Sequence, residues 1–405
     1  MGRTERAPLL CFSHLRWDFV WQRPQHVMSR LARSRPVYFI EEPVFRDEAG
    51  AAPHGGVLEL HERDGVVVVQ PVCRDPGPGP EGVRALDTMY ARLVEQLVAE
   101  RELRRFTAWF YTPMLLPAIS RLSPEVVVYD AMDELALFKG APPELLPRER
   151  RLLAMADVVF TGGVSLGRAK AKLHQNVHAY PSGVEVEHYG QALEPGLAVP
   201  PELAAIPGPR IGFFGVLDER LDLELLQGLA TQHPEWQFVL VGPVRKIDPA
   251  ELPAGPNLHY LGQKQYRELP GYVKGFDVCM MPFALNEATR FISPTKTLEY
   301  MAAHKPIVST PVTDVVGLYG SVVQIGGDVN AFSTAIEKAL RETDTERAAR
   351  VAREREILAK STWDAIVARM EEHIERAELV TRLRRLSPQR VPAVAAVVEV
   401  DAAGD

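Results

Sequence analysis

The sequence predicts an α/β protein of two doubly wound, Rossmann-like domains. Three observations carry that expectation. Short β-rich runs alternate with helical segments, and several are continuously apolar, such as Val126-Val127-Val128-Tyr129. A run of that kind fits a strand buried on both faces, hence a parallel sheet covered by helices. The alternation stops in a stretch rich in breakers, with Pro195-Gly196, Pro200-Pro201 and Pro207-Gly208-Pro209, and then restarts. The length, 405 residues, suits two domains.

Taken in order, the expected strands of the first half are Leu9–Phe12, Val37–Ile40, Ala108–Tyr111, Val126–Tyr129 and Val158–Thr161. Helices Pro24–Arg33, Glu81–Arg101 and Glu144–Met155 lie between them. Val57–Leu60 and Val66–Gln70, joined through Asp64-Gly65, read as a hairpin. Leu86, Tyr90, Leu93 and Leu97 put one apolar face on the second helix. After the break, strands Arg210–Phe214, Gln237–Val241, Leu258–Tyr260, Val278–Met281, Ile307–Thr310 and Ser321–Gln324 alternate with helices Asp222–Thr231, Arg267–Lys274, Pro294–Ala303 and Ala331–Leu340. Helices Thr343–Lys360 and Trp363–Leu379 follow. The expected organisation is therefore a first domain over 1–190, a linker over 191–209, a second domain over 210–345, closing helices over 346–380 and a loose tail over 381–405. Two such domains would face a central cleft.

Composition narrows the function classes. A net charge of -7, spread over both halves, argues against a general nucleic-acid binder, and no nucleic-acid partner is expected. Cys11, Cys73 and Cys279 are too few and too scattered for a disulfide framework or a cysteine zinc site. No apolar run reaches the ~20 residues of a spanning helix, and the N-terminus does not read as a signal peptide. The expectation is a cytoplasmic protein, with peripheral contact at the inner face of a membrane left open.

In open α/β sheets ligands bind beyond the carboxyl ends of strands, so the loops there are the candidate sites. The loop after Arg210–Phe214 holds Gly215, where a phosphate could approach the backbone, and Arg220, which could neutralise it. A strand-to-helix turn with a surface ion pair is an equally good reading of that loop alone. The loop after Val278–Met281 runs through Asn286, Arg290 and Ser293 into Pro294-Thr295-Lys296 and Glu299. Ser293 is expected as a helix N-cap with Pro294 at the first helical position, leaving the Thr295 and Lys296 N–H groups for an anion. Lys296 adds a charge, and Glu299 at i+3 suits a vicinal diol such as ribose.

Two loops of the first half are also dense in polar groups. Asp130, Asp133 and Glu134 crowd the end of Val126–Tyr129 and could serve as base, sugar ligand or structural acceptor, and no metal is expected there. The loop from Ser13 to His26 carries His14, Trp17, Trp21, Gln22 and Arg23. Aromatic rings among polar neighbours suit a sugar, and the same rings can pack beneath the loop.

These residues together resemble a family. Ala156-Asp157-Val158-Val159 with Ser165, then Tyr180-Pro181-Ser182-Gly183-Val184-Glu185, and then Pro294-Thr295-Lys296 with Glu299-Tyr300-Met301-Ala302-Ala303 and Pro306, look like the GT-B glycosyltransferases of family 4. The Trp17 to Gln25 loop looks like a bacterial subgroup tied to envelope polysaccharides, including teichuronic-acid-type enzymes. The resemblance spans residues 9 to about 378. It implies a GT-B fold and a metal-independent, retaining transfer of a sugar from a nucleotide diphosphate to a glycan or lipid-linked acceptor, with no cofactor. It implies donor contacts at Gly215, Gly262, Thr295 and Glu299, with Asn286, Arg290 and Ser293 of the same loop as further donor candidates, and leaving-group stabilisation by Arg220 and Lys296. Asp133 and His14 would handle the acceptor or its proton, and Trp17, Gln22 and Arg23 would bind the acceptor. Two departures stand out: Val216 replaces an arginine usual after the loop glycine, and Phe291 replaces a glutamate usual eight residues before Glu299. A non-catalytic binding subunit is therefore the first alternative and a nucleotide-sugar epimerase the second.

Overall fold

The computed structural model describes residues 6–47, 55–138 and 140–386. The chain divides into two units. One takes in the chain up to Gly162, Leu166–Tyr180 and the chain from Ile366 onward; the other takes in Gly163–Ser165 and Pro181–Ala365.

The first unit is built on a nine-stranded sheet. Its strands are β1 (Leu9–Ser13), β2 (Val37–Glu41), β3 (Val44–Phe45), β4 (Gly56–Arg63), β5 (Val66–Cys73), β6 (Thr107–Phe110), β7 (Val126–Ala131), β8 (Val158–Thr161) and β9 (Val177–Ala179). They run in the order β3-β5-β2-β1-β6-β7-β8-β9, with β4 antiparallel on β5. Every residue of β1, β2, β6, β7 and β8 is buried, which is why those strands read as unbroken apolar runs. Arg63 pairs with Val66 across Asp64 and Gly65, whose φ values are +51° and +80°. Two such residues between antiparallel strands make the expected hairpin turn. The helix Gly79–Glu100 buries Met89, Tyr90, Leu93, Val94 and Leu97, the predicted face.

The second unit is built on six parallel strands: β10 (Arg210–Phe214), β11 (Gln237–Val241), β12 (Leu258–Tyr260), β13 (Val278–Met281), β14 (Ile307–Ser309) and β15 (Val323–Ile325). Their order is β12-β11-β10-β13-β14-β15. The chain starts at β10, winds outward to β12 and returns on the other side of β10 with β13. That reversal is a topological switch point, the position beyond which open α/β sheets bind ligands. Side-chain caps start the helices, with Asp222 accepting from the Leu225 N–H at 2.8 Å and Asp328 from the Ala331 N–H at 2.9 Å.

Three expectations are corrected. The stretch 191–209 is not a free linker, because Ala192, Leu203 and Ile206 are buried in the core of the second unit. The helix expected over Pro294–Ala303 is Lys296–Ala302, with Thr295 rather than Ser293 at its N-cap. The Thr297 N–H reaches only the Pro294 carbonyl, at 3.3 Å, so the helical ladder starts later than the Ser-Pro signal indicates. The last helix runs on past the expected end at 380, over Trp363–Leu386, held by Arg35 and Thr107 on Glu378 and by Arg6 on Glu371. The remainder, 387–405, lies outside the described residues.

Candidate active site

The loops after β10, β11 and β12 meet through three glycines. The Gly215 N–H donates to the Val241 carbonyl and the Gly242 N–H to the Gly262 carbonyl, both at 2.9 Å. Gly215 sits at φ +151° and Gly242 at φ +152°. A Cβ on Gly242 would fall 1.7 Å from the Gly215 carbonyl oxygen, and a Cβ on Gly215 would fall 3.3 Å from Lys296 Cε. Backbone thus lies against backbone beside the switch point, and a lysine side chain crosses it.

Lys296 is fixed on three sides. Its Nζ stands 3.1 Å from Glu299 Oε2, 3.4 Å from Thr295 Oγ1 and 4.8 Å above the Phe214 ring. The Lys296 and Glu299 side chains remain 22% and 14% exposed, enough for a ligand to reach them. The helix carrying them is locked to the end of β10, because the Phe214 N–H donates to the Tyr300 hydroxyl at 3.1 Å. Tyr189 stacks on Phe214 with centroids 5.8 Å apart, and burial followed by the Glu299 charge pushes its phenol well up. On the far side of Tyr189, Tyr266 donates to Glu185 at 2.8 Å and stacks on His188.

Arg220 is not a loose cation. Asp218 grips it through both carboxylate oxygens, at 2.9 Å to Nε and 2.7 Å to Nη2. Asp218 is buried, whereas the Arg220 side chain is 28% exposed. The Arg220 carbonyl accepts from the Ala284 N–H at 2.8 Å, and the Asn286 amide donates to the Glu219 carbonyl at 3.2 Å. The two loops flanking the switch point are therefore stitched together, and the guanidinium is held in one pose by a partner two residues away.

Three other residues expected near the donor have local tasks or an outward place. The Asn286 side chain caps its own turn by accepting from the Thr289 N–H at 3.2 Å. Arg290 is exposed over the Phe291 ring, 3.6 Å from Glu287. Ser293 is half-buried two residues ahead of the cap.

In the first unit the structure corrects the acceptor loop. Trp17 is 3% exposed, packs edge-on against Phe39 and donates its indole N–H to Asp64 at 3.1 Å. Gln22 caps the helix Arg23–Leu31 in a reciprocal box with Gln25. Arg23 is 3% exposed, with three hydrogen bonds to Asp130 at 2.9–3.1 Å and one to the Tyr180 carbonyl at 2.7 Å. Burial pushes the Asp130 carboxyl up and Arg23 draws it down. Trp17 and Arg23 are buried and hold the loop to the sheet, and Gln22 is half-buried at the helix start. His14 and Asp133 are half-buried beyond the carboxyl ends of β1 and β7, two strands apart in the sheet. Glu134 is taken up by Lys170, which also binds the buried Glu149 at 2.7 Å.

Asp218, Gly242, Tyr189 and Tyr300 were not singled out from the sequence. Gly242 had a legible signal, a glycine directly after a strand, as at Gly215. The others are placed by contacts that only the fold makes.

Residues 208–342 match the family described as glycosyl transferases group 1. A Bacillus subtilis (strain 168) protein named as a teichuronic acid biosynthesis glycosyltransferase, TuaH, is 27% identical over 223 residues. That match covers 51% of this chain and 55% of TuaH, so the chain spans about half the length of this curated relative. Solved structures share the fold over nearly the whole chain. An α,α-trehalose-phosphate synthase from Burkholderia vietnamiensis aligns with a TM-score of 0.68 at 15% identity, over 92% of this chain and 99% of that one. The Escherichia coli trehalose-6-phosphate protein bound with UDP-2-fluoro glucose gives 0.67 at 13%, over 92% and 99%. Sucrose-phosphate synthase from Thermosynechococcus elongatus gives 0.65 at 16%, over 94% and 100%. The chain has the GT-B fold, and residues 208–342 of its second unit are similar to the glycosyl transferases group 1 domain.

Proposed function

We propose that the chain is a retaining glycosyltransferase that moves a sugar from a nucleotide diphosphate sugar to a glycan or lipid-linked acceptor. The observation that carries this reading is the Lys296–Glu299 pair lying against Gly215 and over Phe214 at the switch point of the second unit. The diphosphate takes the glycine-lined floor, where the missing side chains let it approach the backbone. Lys296 turns from Glu299 to the phosphates, and Glu299 takes the ribose hydroxyls. Arg220, preset by Asp218, offsets the second charge of the leaving group. Two fixed cations in a partly dry site stabilise the departing diphosphate more than the ground-state donor, and so lower the barrier. In this reading they do so in place of a divalent ion.

His14 and Asp133 are the first unit's candidates for orienting the acceptor hydroxyl or taking its proton. The retaining course and the envelope-type acceptor are supported by the family resemblance. Incubation with nucleotide sugars and glycan or prenyl-phosphate acceptors, with magnesium or with EDTA, tests the reading. It predicts acceptor-dependent sugar transfer in both conditions, reduced about 100-fold or more in Lys296→Ala. A changed sugar without acceptor would mean an epimerase, and tight donor binding without turnover would mean a binding subunit.

A further inference from the structure

One surface of the first unit is basic although the chain is acidic overall. The helix Leu145–Met155 buries Leu145, Glu149, Leu152 and Leu153. Its opposite face exposes Leu146, Pro147, Arg150, Arg151, Ala154 and Met155. That spacing, i, i+1, i+4, i+5, i+8, i+9, is one continuous stripe. It holds two arginines flanked by apolar residues and no acid. Leu146 is 49% exposed and Met155 46%.

A second helix extends the stripe. Val164–Lys170 lies beside the first, because Lys170 reaches Glu149 at 2.7 Å and the following His174 ring is 3.0 Å from the Ala156 carbonyl. This neighbour presents Arg168, then Lys172 and Leu173, the last 64% exposed. Among the described residues, none of Arg150, Arg151, Arg168 and Lys172 pairs with a carboxylate, while the nearby acids Glu134 and Glu149 are both bound by Lys170. The surface therefore carries four cations outside any described ion pair and three protruding apolar side chains, in a chain whose net charge is -7.

We propose that this two-helix face docks on an anionic lipid bilayer. Separated apolar side chains among cations suit shallow insertion between acidic headgroups, whereas a protein partner of this size would call for a contiguous apolar core. No helix among the described residues is long and apolar enough to cross a membrane, so contact of this kind is peripheral. The inference rests on the helix faces alone and not on the donor reading.

Flotation of the full chain with phosphatidylcholine vesicles, with and without phosphatidylglycerol, tests it. Binding is expected only to the anionic vesicles and should weaken as salt rises. Each basic residue near such a surface contributes about fivefold in partitioning, so Arg150→Glu/Arg151→Glu should lower it by roughly 25-fold or more. Leu173→Ser/Met155→Ser should also reduce it. Should the first pair fail to fold, Arg168→Glu/Lys172→Glu on the other helix carries the same test. Equal binding by wild type and a folded charge-reversal variant would overturn the proposal. So would no binding to anionic vesicles, or retention on dextran sulfate beads without vesicle binding. Nucleotide-induced thermal shifts should be the same in wild type and these variants, which separates this test from that of the donor site.

Discussion

The carboxyl ends of the two sheets use polar residues in opposite ways. In the second unit, Lys296, Glu299 and Arg220 are held in place yet remain partly exposed, beside glycines that leave the backbone bare. In the first unit, the most conspicuous polar residues are consumed by each other: Arg23 by Asp130 and Tyr180, Trp17 by Asp64, Lys170 by Glu134 and Glu149. A dense polar loop thus marks a site only where its groups keep unspent bonding capacity. Elsewhere it marks a scaffold.

The largest expected effect breaks the scaffold. Arg23→Ala leaves Asp130 buried without its ion partner, which costs about 3–5 kcal/mol. Thermal unfolding should begin roughly 10 °C or more lower, with any remaining folded protein keeping its nucleotide affinity. A variant with wild-type stability and lost acceptor affinity would restore Arg23 to the binding site. Lys296→Ala should do the reverse, lowering turnover about 100-fold to 1000-fold while the melting temperature stays close to that of wild type. Asp218→Asn sharpens the contrast further. It frees Arg220 without removing it, so turnover should fall about 10-fold to 100-fold with a smaller change in donor binding.

A smaller effect probes the first unit alone. His178 stacks on His373 with centroids 3.6 Å apart. Burial, then the His373, Arg376 and His174 charges, lowers its pKa to about 4. The unfolded chain therefore takes up this proton more readily than the folded one. The contribution to stability is full above about pH 6.5 and is lost as the pH falls toward 4. His178→Gln should flatten that part of the stability curve of unfolding against pH.

The legibility of the sequence follows the same division. The central strands could be read because burial on both faces demands continuous apolar runs, as at Val126–Tyr129. The helix Thr313–Tyr319 could not, because Val315, Val316 and Gly317 are poor helix formers and tertiary packing of Val315 and Tyr319 decides it. Lys296 and Glu299 were legible as an i,i+3 pair on one helix. The pairing of Arg23 is not legible, because its partner Asp130 lies 107 residues away and nothing local announces it. The ion pair weighed for the Gly215 loop is present as Asp218–Arg220, although a short loop gives no periodicity from which a side chain's direction can be read.

The central claim is a preformed nucleotide diphosphate site on the second unit, centred on Lys296. Its most direct test is thermal unfolding of the full chain and of Lys296→Ala with UDP, GDP, ADP, dTDP and their sugars, each with magnesium or EDTA. At 100 times its dissociation constant, a bound nucleotide adds about 2.7 kcal/mol. A shift is expected for one base series, unchanged by EDTA and largely lost in Lys296→Ala. No shift with any nucleotide, or an equal shift in the variant, would contradict it.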